Sequence, residues 1–220
     1  MLRLALAFAL IVPVVALAAD NSPASPASVN SPPNLFVGGN AQVGAKKAVT
    51  CEACHGPNGN GAISPQFPKL ADQGAAYLLE QLQEFKDQTR KNPIMFAQAS
   101  VLSKADMGDL AAFFSEQPFV PGVATPESVK LAQPLYRGGD PAKGIPACAA
   151  CHGPTGAGDP AALYPRIGGQ NAAYVVEQLK AFRAGTRGDA NMRGKVMQDV
   201  ASKLSDQQID ELAAYVAGLR

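Results

Sequence analysis

The sequence predicts an all-α protein in which one small helical domain occurs twice in tandem. Three observations carry this prediction. All four cysteines and both histidines of the 220 residues sit in two copies of one short run, CEACHG at 51–56 and CAACHG at 148–153. Residues 51–90 match residues 148–187 without a gap at an offset of 97, and nearly half of the paired positions are identical. Around these runs apolar residues recur at helical spacing, as in Leu78, Leu82 and Phe85, and again in Met107, Leu110, Ala111 and Phe114.

Taken in order, the chain starts Met-Leu-Arg, continues in an apolar run to Leu17 and reaches the small-x-small site Ala16-Leu17-Ala18. Residues 1–18 therefore read as a secretory signal cleaved after Ala18. An uncleaved anchor is the alternative, but the run is short for a bilayer and broken by Pro13. No later stretch is apolar and long enough to span, so the mature chain is expected to be soluble outside the cytoplasm, with peripheral membrane association the most contact it allows. Residues 19–34, rich in Ser, Pro and Asn, read as a flexible leader. A first domain is expected over 35–117, a Pro-rich linker over 118–130 and a second domain over 131–220.

Within the first domain, Asn40 to Thr50 suits a short helix running into the CEACHG motif. A glycine-rich loop follows, then a helix over 75–89, then a loop over 90–102 that holds Pro93 and Met95. Ser103, with Asp106 three positions later, caps a final helix. In the second domain the offset grows from 97 to 102, because Leu102-Ser103 matches Leu204-Ser205 and LAAFF matches LAAYV; the last loop carries a five-residue insertion.

The duplicated run carries the chemistry. Cys-x-x-Cys-His is the attachment signature of a c-type haem, two thiols forming thioethers with the vinyl groups and the adjacent His ligating iron. Cys51 and Cys54 then hold one haem with His55 as proximal ligand, and Cys148, Cys151 and His152 hold the second. A redox disulfide or a zinc site is the alternative for a lone Cys-x-x-Cys. A bridging four-ligand zinc site would leave two of the six residues unused, and a dithiol enzyme gives no reason for the paired His. Thioether formation also removes the disulfides that four exported cysteines would otherwise suggest.

No third His exists, so the sixth iron position falls to another residue or stays open. Met95 and Met197 each lie seven residues before the matched Leu-Ser pair and are the expected distal ligands. Met107 aligns with Ile209 and reads as a packing residue. Met192, inside the insertion, is the rival to Met197. The carbonyls of Pro68 and Pro165 can accept the Nδ1 proton of the ligating His, or those prolines can simply shape their loops. The matched pairs Tyr77/Tyr174, Gln81/Gln178 and Arg90/Arg187 can bind haem propionates or stand as solvated helix residues. Each domain of about ninety residues has a thin core of its own, so a buried porphyrin is expected to complete it.

Charge excludes one broad class. With 19 basic and 18 acidic residues the chain lacks the basic footprint of a nucleic-acid binder. The first domain sums to −1 and residues 127–220 to +2, only a mild dipole.

From about residue 35 the chain resembles the dihaem cytochrome c4 family, two class I cytochrome c domains in tandem. The likeness rests on CEACHGPNGNG and CAACHGPTGAG, on YRGGD…GIPACAACHG and on the repeated LS…LAA(F/Y) terminal helix; NPIM against GKVM is a mild departure. The resemblance implies a periplasmic electron carrier, not an enzyme, with two covalently bound haem c groups. Its implied redox partners are a quinol-oxidising bc1 complex and a terminal oxidase. Rival readings are the electron-accepting haem subunit of a periplasmic dehydrogenase, a dihaem peroxidase, and a haem-free disulfide or zinc protein.

Overall fold

The computed structural model describes residues 37–61 and 63–220. The expected signal over 1–18, the leader over 19–34 and the first two positions of the first domain lie outside the described residues. The described residues form nine α-helices and no strand, with two isolated β-bridges in the second half.

Helix α1 (Ala41–His55) begins at Asn40, whose side chain accepts from the backbone N–H groups of Gln42 and Val43 at 2.9 and 3.1 Å, the ordinary capping role of Asn. The cysteine motif is its last turn. Gly56 then takes φ 77°, and a Cβ there would lie 1.5 Å from the Gly61 carbonyl oxygen. Gly153 repeats the conformation with φ 78°. The glycine after each Cys-x-x-Cys-His is thus the left-handed residue that turns the chain off the helix.

Helix α2 (Ala75–Lys86) follows the glycine-rich loop. Helix α3 (Pro93–Ser100) occupies most of the segment expected as a loop. The Asn-Pro pair that reads as a breaker is instead a helix start: Asn92 accepts from the Met95 N–H at 2.9 Å and Pro93 sits in the first turn, where a missing N–H costs nothing. Helix α4 (Lys104–Ser115) has the expected capping box between Ser103 and Asp106.

In this half α1 packs on α4, and α2 packs on α3 and α4. The α1–α4 crossing is so close that a Cβ on Gly44 would come within 2.0 Å of the Asp109 carbonyl oxygen. Ala48, Leu78, Leu110, Ala111 and Phe114 fill one cluster, while Phe85, Ala99 and Met107 fill a second under α3.

The second half repeats the plan. Helix α5 (Pro126–Gly138) starts at the Thr125 cap, so residues 126–130 of the expected linker are helical. One tight turn (Pro141–Lys143), closed by the Asp140–Ile145 bridge, intervenes before α6 (Ala149–His152), so this motif has its own short helix instead of ending a long one. Helices α7 (Ala172–Arg183), α8 (Met192–Ser202) and α9 (Asp206–Ala217) complete the unit. α5 packs on α9 as α1 does on α4, around Tyr136, Ile209, Leu212 and Val216. Met107 and Ile209 are both buried, as the packing role expected for that aligned pair requires.

The connection between the halves is pinned at both ends. Asn60 binds the Pro118 carbonyl and the Val120 N–H, Gly122 donates to the Ala217 carbonyl, and the Arg166 guanidinium lies 4.5 Å from the centre of the Phe119 ring.

Candidate cofactor sites at the domain junction

Both cysteine motifs open onto one cavity of about 980 Å³, walled by residues from both halves. Cys51, Cys54, His55 and Met95 line it from the first domain; Cys148, Cys151, His152 and Met197 line it from the second. Met192, the rival to Met197, points elsewhere and is 76% exposed.

The two histidines are buried in the last turn of α1 and of α6. His55 Nδ1 donates to the Pro68 carbonyl at 2.8 Å, and His152 Nδ1 donates to the Pro165 carbonyl at 2.9 Å. Because a carbonyl only accepts, each ring carries its proton on Nδ1, and Nε2 keeps its lone pair. Burial lowers both imidazole pKa values, with the proline carbonyls opposing. Both rings are therefore neutral at pH 7, the state a metal requires. The proline positions have a role beyond shaping their loops.

The first thiol of each motif lacks the activation that dithiol chemistry needs. Burial raises the Cys51 thiol and pushes Cys148 up to about 11, opposite to the activated thiolate of a redox motif. Among the described residues no group of three or more His, Cys, Asp or Glu side chains is arranged to hold a metal ion.

Between the halves lies a cluster related by a pseudo-two-fold axis. Arg90 donates to Gln81 of its own domain at 2.6 Å and to Tyr174 and Gln178 across the junction at 2.9 and 3.0 Å. Arg187 mirrors it, donating to Gln178 at 2.6 Å and to Tyr77 and Gln81 at 2.8 and 3.3 Å. Each guanidinium also sits over a phenyl ring, Phe85 or Phe182. Burial would raise the Tyr174 phenol, but the Arg90 and Arg187 charges outweigh it and hold its pKa below the usual value. Neither guanidinium forms a salt bridge among the described residues, although the Glu84 charge acts on Arg187, so the pair would suit a further anionic group in the cavity.

Sequence reasoning could not see this reciprocal arrangement, and it missed the job of the insertion altogether. Asn191 reaches Glu84 of the first domain at 2.9 Å, and Arg193 pairs with Glu80.

The donor set fits an iron tetrapyrrole: paired thiols, a neutral imidazole and a thioether in each half, apolar walls, and guanidiniums suited to carboxylates. The comparisons agree. The family profile described as Cytochrome c matches residues 41–117 and 143–220. Cytochrome c4 of Pseudomonas aeruginosa is 45% identical over 184 residues, covering 82% of this chain and 89% of that protein. The crystal structure of reduced cytochrome c4 from Pseudomonas stutzeri superimposes with a TM-score of 0.79 at 42% identity, covering 83% of this chain and all of that one. A thiosulfate dehydrogenase electron acceptor from Thiomonas intermedia is 36% identical, covering 78% of this chain and 79% of that protein.

Proposed function

The chain belongs to the dihaem cytochrome c4 family, two cytochrome c domains with two covalently bound haem c groups, and from that premise we propose that it is a periplasmic carrier moving electrons from a quinol-oxidising bc1 complex to a terminal oxidase. The observation that carries this reading is the single cavity onto which both motifs open, because electron tunnelling weakens exponentially with distance. No helix of the described residues is long and apolar enough to cross a membrane, in keeping with an exported carrier.

Haem c, when bound, supplies a one-electron Fe(III)/Fe(II) couple. The chain supplies position and tuning. Cys51 with Cys54, and Cys148 with Cys151, would tether the macrocycles through thioethers. His55 and His152 would ligate through Nε2, their rings held by Pro68 and Pro165. Met95 and Met197, which line the cavity, would each offer a thioether to the iron, favouring the ferrous state and raising the potential. With an imidazole and a thioether both offered to each iron, the sites would be suited to passing electrons and poorly suited to binding oxygen or peroxide. Arg90 and Arg187 offset carboxylate charge at the junction.

A second reading is favoured by the thiosulfate dehydrogenase electron acceptor among the relatives: the chain drains a periplasmic dehydrogenase. Stopped-flow mixing separates the two. The bc1 reading expects the oxidised holoprotein to be reduced within one turnover by a quinol-driven bc1 complex and reoxidised by oxidase-containing membranes. Reduction only by thiosulfate and its dehydrogenase, with no response to quinol, would overturn it in favour of the second.

A further inference from the structure

The two domains touch through a pair of glutamines whose partners lead directly to the ligating histidines. Gln170 Oε1 accepts from the Lys69 N–H at 2.7 Å, and its Nε2 donates to the Lys69 carbonyl at 3.0 Å. The Lys69 N–H belongs to the same peptide group as the Pro68 carbonyl that accepts from His55 Nδ1. Gln73 repeats this in reverse: it accepts from the Arg166 N–H at 2.8 Å and donates to the Arg166 carbonyl at 3.0 Å, and that N–H shares its peptide with the Pro165 carbonyl that holds His152. Both glutamines are buried, and each is set at the turn before its own helix by a backbone bond, Gln73 N–H to Leu70 and Gln170 N–H to Ile167.

A peptide group is conjugated, so its N–H and C=O polarise together. An acceptor on the N–H places more negative charge on the carbonyl oxygen and strengthens the bond that oxygen accepts, as in any hydrogen-bond chain at low dielectric. The chain here runs from the glutamine of one domain, through a proline peptide, to the histidine of the other. A stronger acceptor on Nδ1 makes the imidazole a better electron donor and favours ferric iron.

We infer that Gln170 and Gln73 are crossed positioning residues: each lowers the reduction potential of the haem carried by the opposite domain. Domain docking and haem potential are thereby coupled through these two bonds. Because the effect is read at the iron, it rests on the assignment of His55 and His152 as ligands.

The test uses holoprotein with haem content counted first. Fewer than two covalent haems in the unaltered protein would refute the haem assignment itself, an outcome distinct from failure of the glutamine coupling. Redox titration followed by NMR of the haem methyl signals then reads each haem on its own. Gln170→Met, similar in volume but without hydrogen bonds, is expected to raise the reduced-to-oxidised ratio of the His55 haem about threefold at fixed ambient potential, about 28 mV at about 59 mV per tenfold for one electron. The His152 haem moves less. Gln73→Met gives the mirror image, and the Nδ1 proton of the affected histidine shifts upfield as its bond weakens. Gln170→Asn keeps an amide but shortens its reach, and repeats the rise should the Met variant fail to assemble. Simple loss of docking would admit water to both haems and lower both potentials, the opposite sign. A fall in both, a shift confined to the glutamine's own domain, or no shift in either haem would overturn the inference.

Discussion

Met197→Ala is expected to lower the potential of the second-domain haem by on the order of 0.1 V, a fraction of the roughly 0.8 V range that axial ligands span. It should also leave an iron that binds CO rapidly. In the proposed function the thioether is a weak, soft ligand that prefers ferrous iron, and its removal would withdraw that preference. Met197 lines the cavity, whereas Met192 stands 76% exposed, so Met192→Ala should leave both properties unchanged. Met95→Ala should produce the same change in the first domain, because α3 carries Met95 to the cavity as α8 carries Met197. Redox titration with CO flash photolysis checks both. CO binding after Met192→Ala and not after Met197→Ala would reverse the assignment in the second domain.

The second large effect concerns folding. If the 980 Å³ cavity were enclosed and empty, a cost of about 24 cal/mol per Å³ would amount to about 24 kcal/mol. Its mouth opens to solvent, which reduces the figure. Even a third of it, about 8 kcal/mol, is comparable with the whole stability of a domain, about 5–15 kcal/mol. The chain with all four cysteines changed to alanine should therefore show helix by far-UV circular dichroism but no cooperative heat-absorption peak by scanning calorimetry, and should bind ANS. The holoprotein should melt cooperatively. A cooperative melt of the cysteine-free chain would show that the helices pack without the cofactor.

Much of the candidate site was legible because duplication writes each candidate residue twice. Cys51/Cys148, His55/His152 and Met95/Met197 stand out by sharing an alignment, and Met107 is set aside because its counterpart is Ile209. Local signals worked where the chemistry is local, as at the Ser103–Asp106 capping box. They failed where one residue type serves two purposes. Asn92-Pro93 reads as a break and is a helix start, and Pro126 reads as linker yet opens α5, which tolerates Pro134 near its end.

What sequence could not supply is pairing across the junction. Gln73/Gln170 and Arg90/Arg187 are visible as repeated identities, but a solvated helix face would preserve them equally well. Only the pseudo-two-fold packing shows that each member's partner belongs to the other domain. The insertion, having no counterpart, offered no such clue to its contacts with Glu80 and Glu84.

The most direct test is haem counting by pyridine haemochrome on mature protein from a cell competent in cytochrome maturation, with electron paramagnetic resonance of the oxidised form. Two c-type haems per chain, both low-spin, are expected. Fewer than two covalent haems, or a high-spin ferric signal in the untreated protein, would contradict a chain built round two irons each held between a histidine and a methionine.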